Sequence, residues 1–550
     1  MTVAWAVLAV SAAHAEAPPP AAPTYVSSIY VVRSDHWSEG DERDYSRFIA
    51  AIGDSGCGTV DKCLHSTANP FHASDPEGIY FRSDCADLAY NLRFYFAWKR
   101  GLPFGYVSQV SMRGRGRDFR YGFSGNAVAE RTTVPSGALS GYEIWDEIRD
   151  NVSSGTFRIH PTLEEPEDPD LYSPAIDVKS IRPGTVIYDP NGHLAIVYRV
   201  DPDGRIHYLD AHPDNAMTRG FYDLRFARAP PGMGAGFKNW RPVTLVGATR
   251  QKDGTLSGGH VVLPINTAIP DFSDEQFFGN GKRTGDDSDW VNATFTLDGT
   301  VYDYYDYVRA RLAGGKLEFD PVKEVHDMVA SNCADLHYRV DAVKLAIAAG
   351  LMKAPQPSNL PPNIYGTEGD WEIYSTPSRD ARLKTAFKEL RDAVERFMTM
   401  YEVGDFKLKY AGKNLAVDML TAYDREAAAC KITYAKSDGT TVSFGYEEGR
   451  RRLFAMSFDP YHCIERRWGA SDARELASCN DGPAKQAWYL AEQNLRNQLD
   501  RTYDVPMDFT LTDLRDHVAG SGVPAPPDID VRTYLWTMRN VVRGDKRASN

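Results

Sequence analysis

A histidine-led hairpin constrains the fold of this chain more than any other feature. Residues 192–198 read Gly-His-Leu-Ala-Ile-Val-Tyr and residues 206–210 read Ile-His-Tyr-Leu-Asp, separated by Asp-Pro-Asp-Gly at 201–204. That tetrapeptide is typical of a tight turn, so we predict antiparallel strands over 194–200 and 205–210. If Val200 pairs with Arg205, His193 faces His212, and His193, Asp210 and His212 share one face of the sheet. The carboxylate of Asp210 then lies within reach of the His193 imidazole.

A cysteine precedes this hairpin at a predicted helix start. Ser83 or Asp84 can cap a helix-like run that begins near Cys85 and ends at Gly101. The free N–H groups and the helix dipole lower the pKa of a thiol in the first turn, whereas the nearby carboxylates of Asp84 and Asp87 raise it. With His193 as base and Asp210 as the acid that orients it, Cys85 completes a cysteine-nucleophile constellation. The alternative interpretation of Cys85 is an inert thiol in a buried helix turn.

Other polar residues compete for the same roles. His212 can replace Asp210 as the third member, and His260, which begins another strand-like run, can replace His193 as the base. His260 lacks an acid on the matching face of a following strand, so His193 is favoured. The ligand types of His193, Asp210 and His212 also allow a metal site, but no matching cluster or zinc motif supports one, and we predict no metal and no cofactor. Ser83, Asp84 and His212 are our candidates for substrate contacts.

The seven cysteines fit an exported chain. Residues 1–15, an apolar stretch ending in Ala-His-Ala, are predicted to be a signal peptide, which indicates a periplasmic or extracellular protein. An oxidising compartment favours disulfides, and an odd number of cysteines leaves one thiol free. Cys57 can pair with Cys63, Cys463 with Cys479, and Cys333 with Cys430, which leaves Cys85 free. The alternative is that several of these cysteines are buried thiols.

Length and charge limit the remaining possibilities. A chain of 550 residues is long enough for two or more domains, and a net charge of −13 argues against a nucleic-acid or anionic-membrane binder. No apolar run is long enough to span a bilayer. We predict a domain over 24–264, a linker over 265–290, a mainly helical accessory domain over 291–520 with a hairpin at Asp438-Gly439, and a tail over 521–550 with one short helix.

The cysteine and histidine motifs resemble those of the NlpC-like cysteine hydrolases of bacterial cell walls. The resemblance rests on Asp84-Cys85, Pro183-Gly184, Gly192-His193 and Asp210. It covers residues 75–215, interrupted by an insertion over 105–175. Thr185 stands where that family usually has Asp, and Asp87 where it usually has a small residue. The order Cys, His, Asp and the phrase Gly-Leu-Pro-Phe at 101–104 are also similar to transglutaminase-like proteins.

The resemblance implies both a fold and a function. The fold class would be α+β, with a papain-like N-terminal domain in which the cysteine-bearing helix packs on an antiparallel sheet. Cys85 would be the nucleophile, His193 the base and Asp210 the orienting residue of an exported hydrolase that cleaves amide bonds in peptidoglycan-type peptides. Alternatives are a transglutaminase-like acyl transferase and a non-catalytic envelope-binding protein. The C-terminal domain would position the enzyme, cover the groove or bind an envelope protein partner.

Overall fold

The computed structural model describes residues 27–116, 118–163, 168–361, 369–374, 377–499, 508–515, 525–541 and 543. The chain is a mixed α+β protein. The helices of the N-terminal half are α1 Glu39–Asp54, α2 Val60–Leu64, α3 Cys85–Arg100, α4 Gly141–Asn151 and α5 Glu275–Phe278. Those that follow are α6 Tyr304–Leu312, α7 Pro321–Ala348, α8 Asp370–Ile373, α9 Pro377–Val403, α10 Leu415–Ala429, α11 Tyr446–Arg452, α12 Ile464–Arg467, α13 Ala473–Leu476, α14 Pro483–Ala491, α15 Gln493–Arg496 and a last helix, Val531–Met538.

The strands are concentrated before residue 303. They are β1 Gly105–Met112, β2 Asn126–Thr133, β3 Leu171–Tyr172, β4 Val186–Asp189, β5 His193–Val200, β6 Ile206–Ala211, β7 Met217–Phe221, β8 Gly236–Trp240, β9 Thr244–Val246, β10 Thr249–Arg250, β11 Leu256–Ser257, β12 His260–Val262, β13 Phe295–Leu297 and β14 Thr300–Tyr302, followed in the helical half by the hairpin β15 Lys431–Ala435 and β16 Thr441–Gly445. Six of them form one antiparallel sheet in the order β3-β8-β4-β5-β6-β7. This sheet carries the predicted histidine hairpin at its centre.

The hairpin has the predicted turn but a different register beside it. Val200 pairs with Ile206 rather than with Arg205, so the expected pairing at the turn is wrong by one residue. The N–H of Gly204 bonds to the carbonyl of Asp201, and the N–H of Asp201 bonds to the carbonyl of Arg205, so Arg205 lies opposite Asp201 rather than opposite Val200. An irregularity at Tyr198 then absorbs one residue, and Val197 pairs with Tyr208. The residues of β5 before this bulge therefore pair with β6 in the predicted register, because the extra residue of a bulge shifts the pairing by one.

Helix α3 is the structural centre of the first half. The carboxylate of Asp84 accepts hydrogen bonds from the N–H groups of Ala86 and Asp87, and Gly101 ends the helix in the left-handed conformation with φ of 63°. Its aromatic side chains, Tyr95 and Phe96 among them, are buried against α1 and the sheet. The buried apolar side chains along α3 thus hold its first turn against the sheet.

The opposite face of the sheet is covered as well. Ile187, Val197 and Phe237 pack against Tyr307 and Val308 of α6. Because both faces are buried, β4 and much of β5 are apolar without alternation, as sandwiched strands usually are.

The second half is mainly helical and is built around α7, α9 and α10. Its β15–β16 hairpin turns at Asp438-Gly439, at the predicted place. Buried ion pairs join the two halves, including Arg382 with Asp189 at 2.7 Å and Arg379 with Asp214 at 2.7 Å. Residues 265–290 also pack on the first half, since Gln276 is buried and accepts a hydrogen bond from the N–H of Phe237.

The cysteines lie in the three pairs that the sequence analysis named. Three pairs lie at disulfide distance: Cys57 with Cys63, Cys333 with Cys430 and Cys463 with Cys479. Cys85 is the free cysteine. Within the described ranges, none of the helices combines the length and the apolar character needed to cross a bilayer. The predicted signal peptide lies outside the described residues, as does much of the predicted tail.

Candidate active site

Cys85 occupies the first position of α3 and is partly exposed. Asp84 is the capping residue, and a reciprocal bond from the Asp84 N–H to the Asp87 carboxylate completes a capping box. The cap uses the N–H groups of Ala86 and Asp87, while the N–H of Leu88 bonds to the carbonyl of Asp84. Among the described residues nothing accepts a hydrogen bond from the N–H of Cys85, so this donor is free to meet a negative charge.

His193 is the first residue of β5 and follows a tight turn. The N–H of Gly192 bonds to the carbonyl of Asp189 at 2.9 Å, and Gly192 adopts a positive φ of 82° against the ring of Tyr121. The sulfur of Cys85 lies 4.0 Å from the Gly192 carbonyl oxygen, and the backbone N–H of Leu194 stabilises its charged form. The thiol therefore faces the backbone on both sides of His193.

Asp210 holds the His193 ring from the neighbouring strand. His193 Nε2 donates to Asp210 Oδ2 at 2.6 Å, and both side chains are buried. The other carboxylate oxygen, Oδ1, accepts a hydrogen bond from the hydroxyl of Thr218 on β7. Since Nε2 carries the shared proton, Nδ1 is the basic nitrogen of the neutral ring.

His212 belongs to the same cluster but makes a different contact. Its ring stacks on that of His193, with centroids 5.6 Å apart, and its Nε2 lies 3.0 Å from the Thr218 hydroxyl oxygen. Because that hydroxyl donates to Asp210, the Nε2–H of His212 must be the donor to Thr218. The structure thus brings His193, Asp210 and His212 together. Of the two candidates for the third member, Asp210 is the one that bonds directly to His193.

The electrostatics favour an uncharged thiol and imidazole at rest. Burial, followed by the charge of Asp84, raises the pKa of the Cys85 thiol well above its ordinary value. A helix N-terminus alone lowers the pKa of a thiol, but here burial and the carboxylate of Asp84 raise it. Burial and the cationic Arg382 lower the pKa of His193. Burial opposes ionisation of Asp210, but the charge of His212 and the hydrogen bonds from His193 and Thr218 outweigh it and lower the pKa of the carboxyl.

The three candidate substrate contacts differ in their surroundings. Asp84 caps α3 beside the thiol, and His212 lies beside His193. Ser83 is buried, and its hydroxyl donates to Asp87 while its N–H donates to Asn215 at 3.3 Å. Ser83 therefore organises the start of α3 and has its polar groups turned into the protein.

The competing base His260 and the hairpin residue His207 lie away from the site. His260 begins β12, pairs with Val246 of β9 and is exposed. His207, on the opposite face of β6 from Asp210, bonds to Asp201 at 2.8 Å and packs on Phe221. Neither is among the groups that contact Cys85 or His193.

Sequence reasoning missed the residues that the second half supplies. The guanidinium of Arg382, from α9, pairs with Asp189 at the start of the turn that leads to His193. Asp189 Oδ1 also accepts a hydrogen bond from the Asn191 N–H at 3.2 Å. Thr218 was missed too, although its place one strand beyond Asp210 was a usable signal. Arg382 had no local signal, since 193 positions separate it from Asp189.

Comparison with protein-family models, with curated proteins and with solved structures finds no match to this chain.

Proposed function

We propose that this chain is a papain-like cysteine hydrolase that cleaves amide bonds. One observation carries the proposal: the free thiol of Cys85 faces the residues flanking His193, while the far nitrogen of His193 bonds to the buried carboxylate of Asp210. A nucleophile, a base and a group that orients the base are the parts that acyl transfer to a thiol requires.

The reaction follows from these positions. Nδ1 of His193 takes the thiol proton as the sulfur of Cys85 attacks the substrate carbonyl, and the N–H of Cys85 donates to the oxygen that gains charge. His193 then gives the proton to the leaving amine, which leaves a thioester on Cys85. Water, deprotonated by His193, releases the acid product and restores the thiol. Asp210 keeps Nε2 protonated throughout and stabilises the imidazolium.

The substrate and compartment extend this proposal. The resemblance of the Cys85 and His193 motifs to cell-wall hydrolases favours the peptide stems or crosslinks of peptidoglycan as substrate. Three cysteine pairs at disulfide distance and the predicted signal peptide favour export to the periplasm or beyond. The helical half would then hold the hydrolase in place, and an envelope protein is the partner it would contact.

Acyl transfer to an amine is the second candidate function. It is favoured by the direct bond of His193 to an aspartate, Asp210, rather than to His212, because a Cys-His-Asp order is the one similar to transglutaminase-like proteins. The same thioester would be attacked by an amine in place of water. A non-catalytic envelope-binding protein is the third candidate, and in it Cys85 would catalyse no reaction.

Two experiments separate these candidates. An electrophilic peptide probe should label Cys85 in the wild type, and His193→Ala should abolish labelling while His260→Ala, a change at an exposed histidine, should leave it intact. Muropeptides incubated with the protein should give a new carboxyl terminus, and with an added primary amine should give the amide if transfer competes. Cys85→Ala is the control that must lose every product. Equal labelling of wild type and His193→Ala, with no muropeptide product, would refute the enzymatic proposal.

A further inference from the structure

A cavity lies away from Cys85, between the sheet and the helical half. Its volume is about 450 Å³, and β6, β7, α6, α7 and α9 contribute its lining. Neither Cys85 nor His193 nor Asp210 borders it. The volume falls within the range of small-molecule sites, which is roughly 300–1,000 Å³.

The walls of this interface cavity are mostly apolar. Phe221 lines one side, and Phe319, Met328 and Phe397 line another. Such walls favour the burial of a hydrocarbon body, and the specificity of such a site rests on the few polar groups that face it.

The charges in the lining are paired with one exception. Each arginine has an acidic partner: Arg205 with Asp327, Arg225 with Asp223, Arg309 with Glu324 and Arg396 with Asp306. Of the five acidic residues in the lining, Asp392 pairs with Lys388, and Glu389 is the one without a salt bridge to a described residue. The cavity therefore holds one acidic group more than its basic groups neutralise.

Glu389 lies on α9 and is 8% exposed. Neither of its carboxylate oxygens makes a hydrogen bond of normal geometry within the described chain, although the N–H of Leu224 and the side chains of Asp223 and Arg225 are its polar neighbours. The Ser331 hydroxyl in the same lining also lacks a partner among the described residues. Burial and the neighbouring carboxylate of Asp223 raise the pKa of Glu389 well above its ordinary value. A buried carboxyl without a donor costs stability, and a ligand that supplies the donor removes that cost.

We propose that the interface cavity binds an apolar primary amine, with its ammonium group on Glu389 and Ser331 and its hydrocarbon body against the phenylalanine walls. An ammonium group has three N–H donors and a positive charge, so it can satisfy both carboxylate oxygens and the hydroxyl together. A carboxylate ligand of the same shape would add a second negative charge beside Glu389. This ligand site goes beyond the proposed hydrolase and does not depend on it.

Three probes of matched shape test the charge selectivity. Calorimetric titration of the full chain with 4-phenylbutylamine should show binding at one site. 4-Phenylbutanol should bind about tenfold more weakly or worse, and 4-phenylbutanoate should not bind. Glu389→Gln, which keeps the shape of the side chain, should weaken the binding of the amine by about tenfold or more, whereas Glu395→Gln, at an exposed carboxylate of the same helix outside the lining, should leave its affinity unchanged. Ala393→Phe, which fills the cavity, should abolish binding.

The outcomes decide the proposal without reference to Cys85 activity. Binding of the amine that falls in Glu389→Gln and disappears in Ala393→Phe supports it. Equal affinity for the amine and the alcohol, unchanged affinity in Glu389→Gln, or no heat with any probe would overturn it. Thermal melts of each variant verify folding, and the fold of Glu389→Gln should persist because glutamine keeps the size and shape of the buried side chain.

Discussion

Replacing Arg382 by alanine tests whether the helical half builds the candidate site. The change removes the guanidinium that pairs at 2.7 Å with Asp189, whose side chain is fully buried. Removal of one partner of a buried ion pair costs about 3–5 kcal/mol, because the other charge stays in a poor solvent. By contrast, Arg396→Ala on the same helix breaks a pair in which the arginine is 42% exposed, and such pairs contribute about 0–1 kcal/mol.

The loss should also reach the chemistry, since Asp189 anchors the turn that leads to Gly192 and His193. A shift of about 1 Å in the turn can reduce a rate about 100-fold. Burial and the charge of Arg382 lower the pKa of His193, so removal of the Arg382 charge raises that pKa. The neutral base then persists only at higher pH, and the acidic limb of the labelling profile of Cys85 moves upward.

The assays are urea unfolding followed by tryptophan fluorescence, and probe labelling of Cys85 between pH 5 and 9 (a range chosen to span the ordinary pKa of histidine, about 6.5). Arg382→Lys keeps the charge and should leave the acidic limb in place even where stability falls. An Arg382→Ala protein that unfolds at the wild-type urea concentration and shows the wild-type pH profile would refute the reasoning.

Three further predictions follow from the same site and from the disulfides. Asp84→Asn keeps a good capping residue but removes the charge that raises the Cys85 pKa, so iodoacetamide should alkylate Cys85 several-fold faster at pH 7; an unchanged rate would contradict that role of Asp84. Thr218→Val removes the hydroxyl between Asp210 and His212, and should slow peptide-probe labelling while Thr249→Val, an exposed control on β10, should not. Cys333→Ser with Cys430→Ser opens a link across 97 positions, which in the chain-entropy model costs about 4–5 kcal/mol, measurable as a lower urea midpoint; unchanged stability would exclude a structural role for this pair.

Local chemistry made the elements around the site predictable. The capping residues at 83–84 and Gly101 predict the two ends of α3, and the structure has it at Cys85–Arg100. The Asp-Pro-Asp-Gly turn predicts the hairpin, and period-two alternation predicts that His193 and Asp210 share a face. The bulge at Tyr198 was not predictable. Next to the turn the two strands pair one residue away from the predicted register, and the extra residue at the bulge restores that register beyond it.

Long-range placement was beyond the sequence. Nothing near Arg379 or Arg382 indicates that the first turns of α9 lie against the sheet, because ion pairs between distant segments leave no periodic pattern in the sequence. The sequence also leaves the direction of the thiol pKa open, because the helix dipole lowers it while Asp84 and Asp87 raise it, and the burial that raises it most is not visible in the sequence. The helix dipole acts on any residue at that position, whereas the effect of the Asp84 carboxylate on the thiol depends on the side-chain rotamer, which the sequence does not give.

The capping aspartate has a consequence for how the chain matures. Thiol–disulfide exchange proceeds through thiolate, and the rate falls with the fraction of thiolate present. Burial and the carboxylate of Asp84 raise the pKa of the Cys85 thiol, which lowers its thiolate fraction, so Cys85 should attack the three cystines slowly. We therefore expect burial and the capping carboxylate, which weaken the nucleophile, also to protect Cys85 from disulfide exchange while the other six cysteines pair.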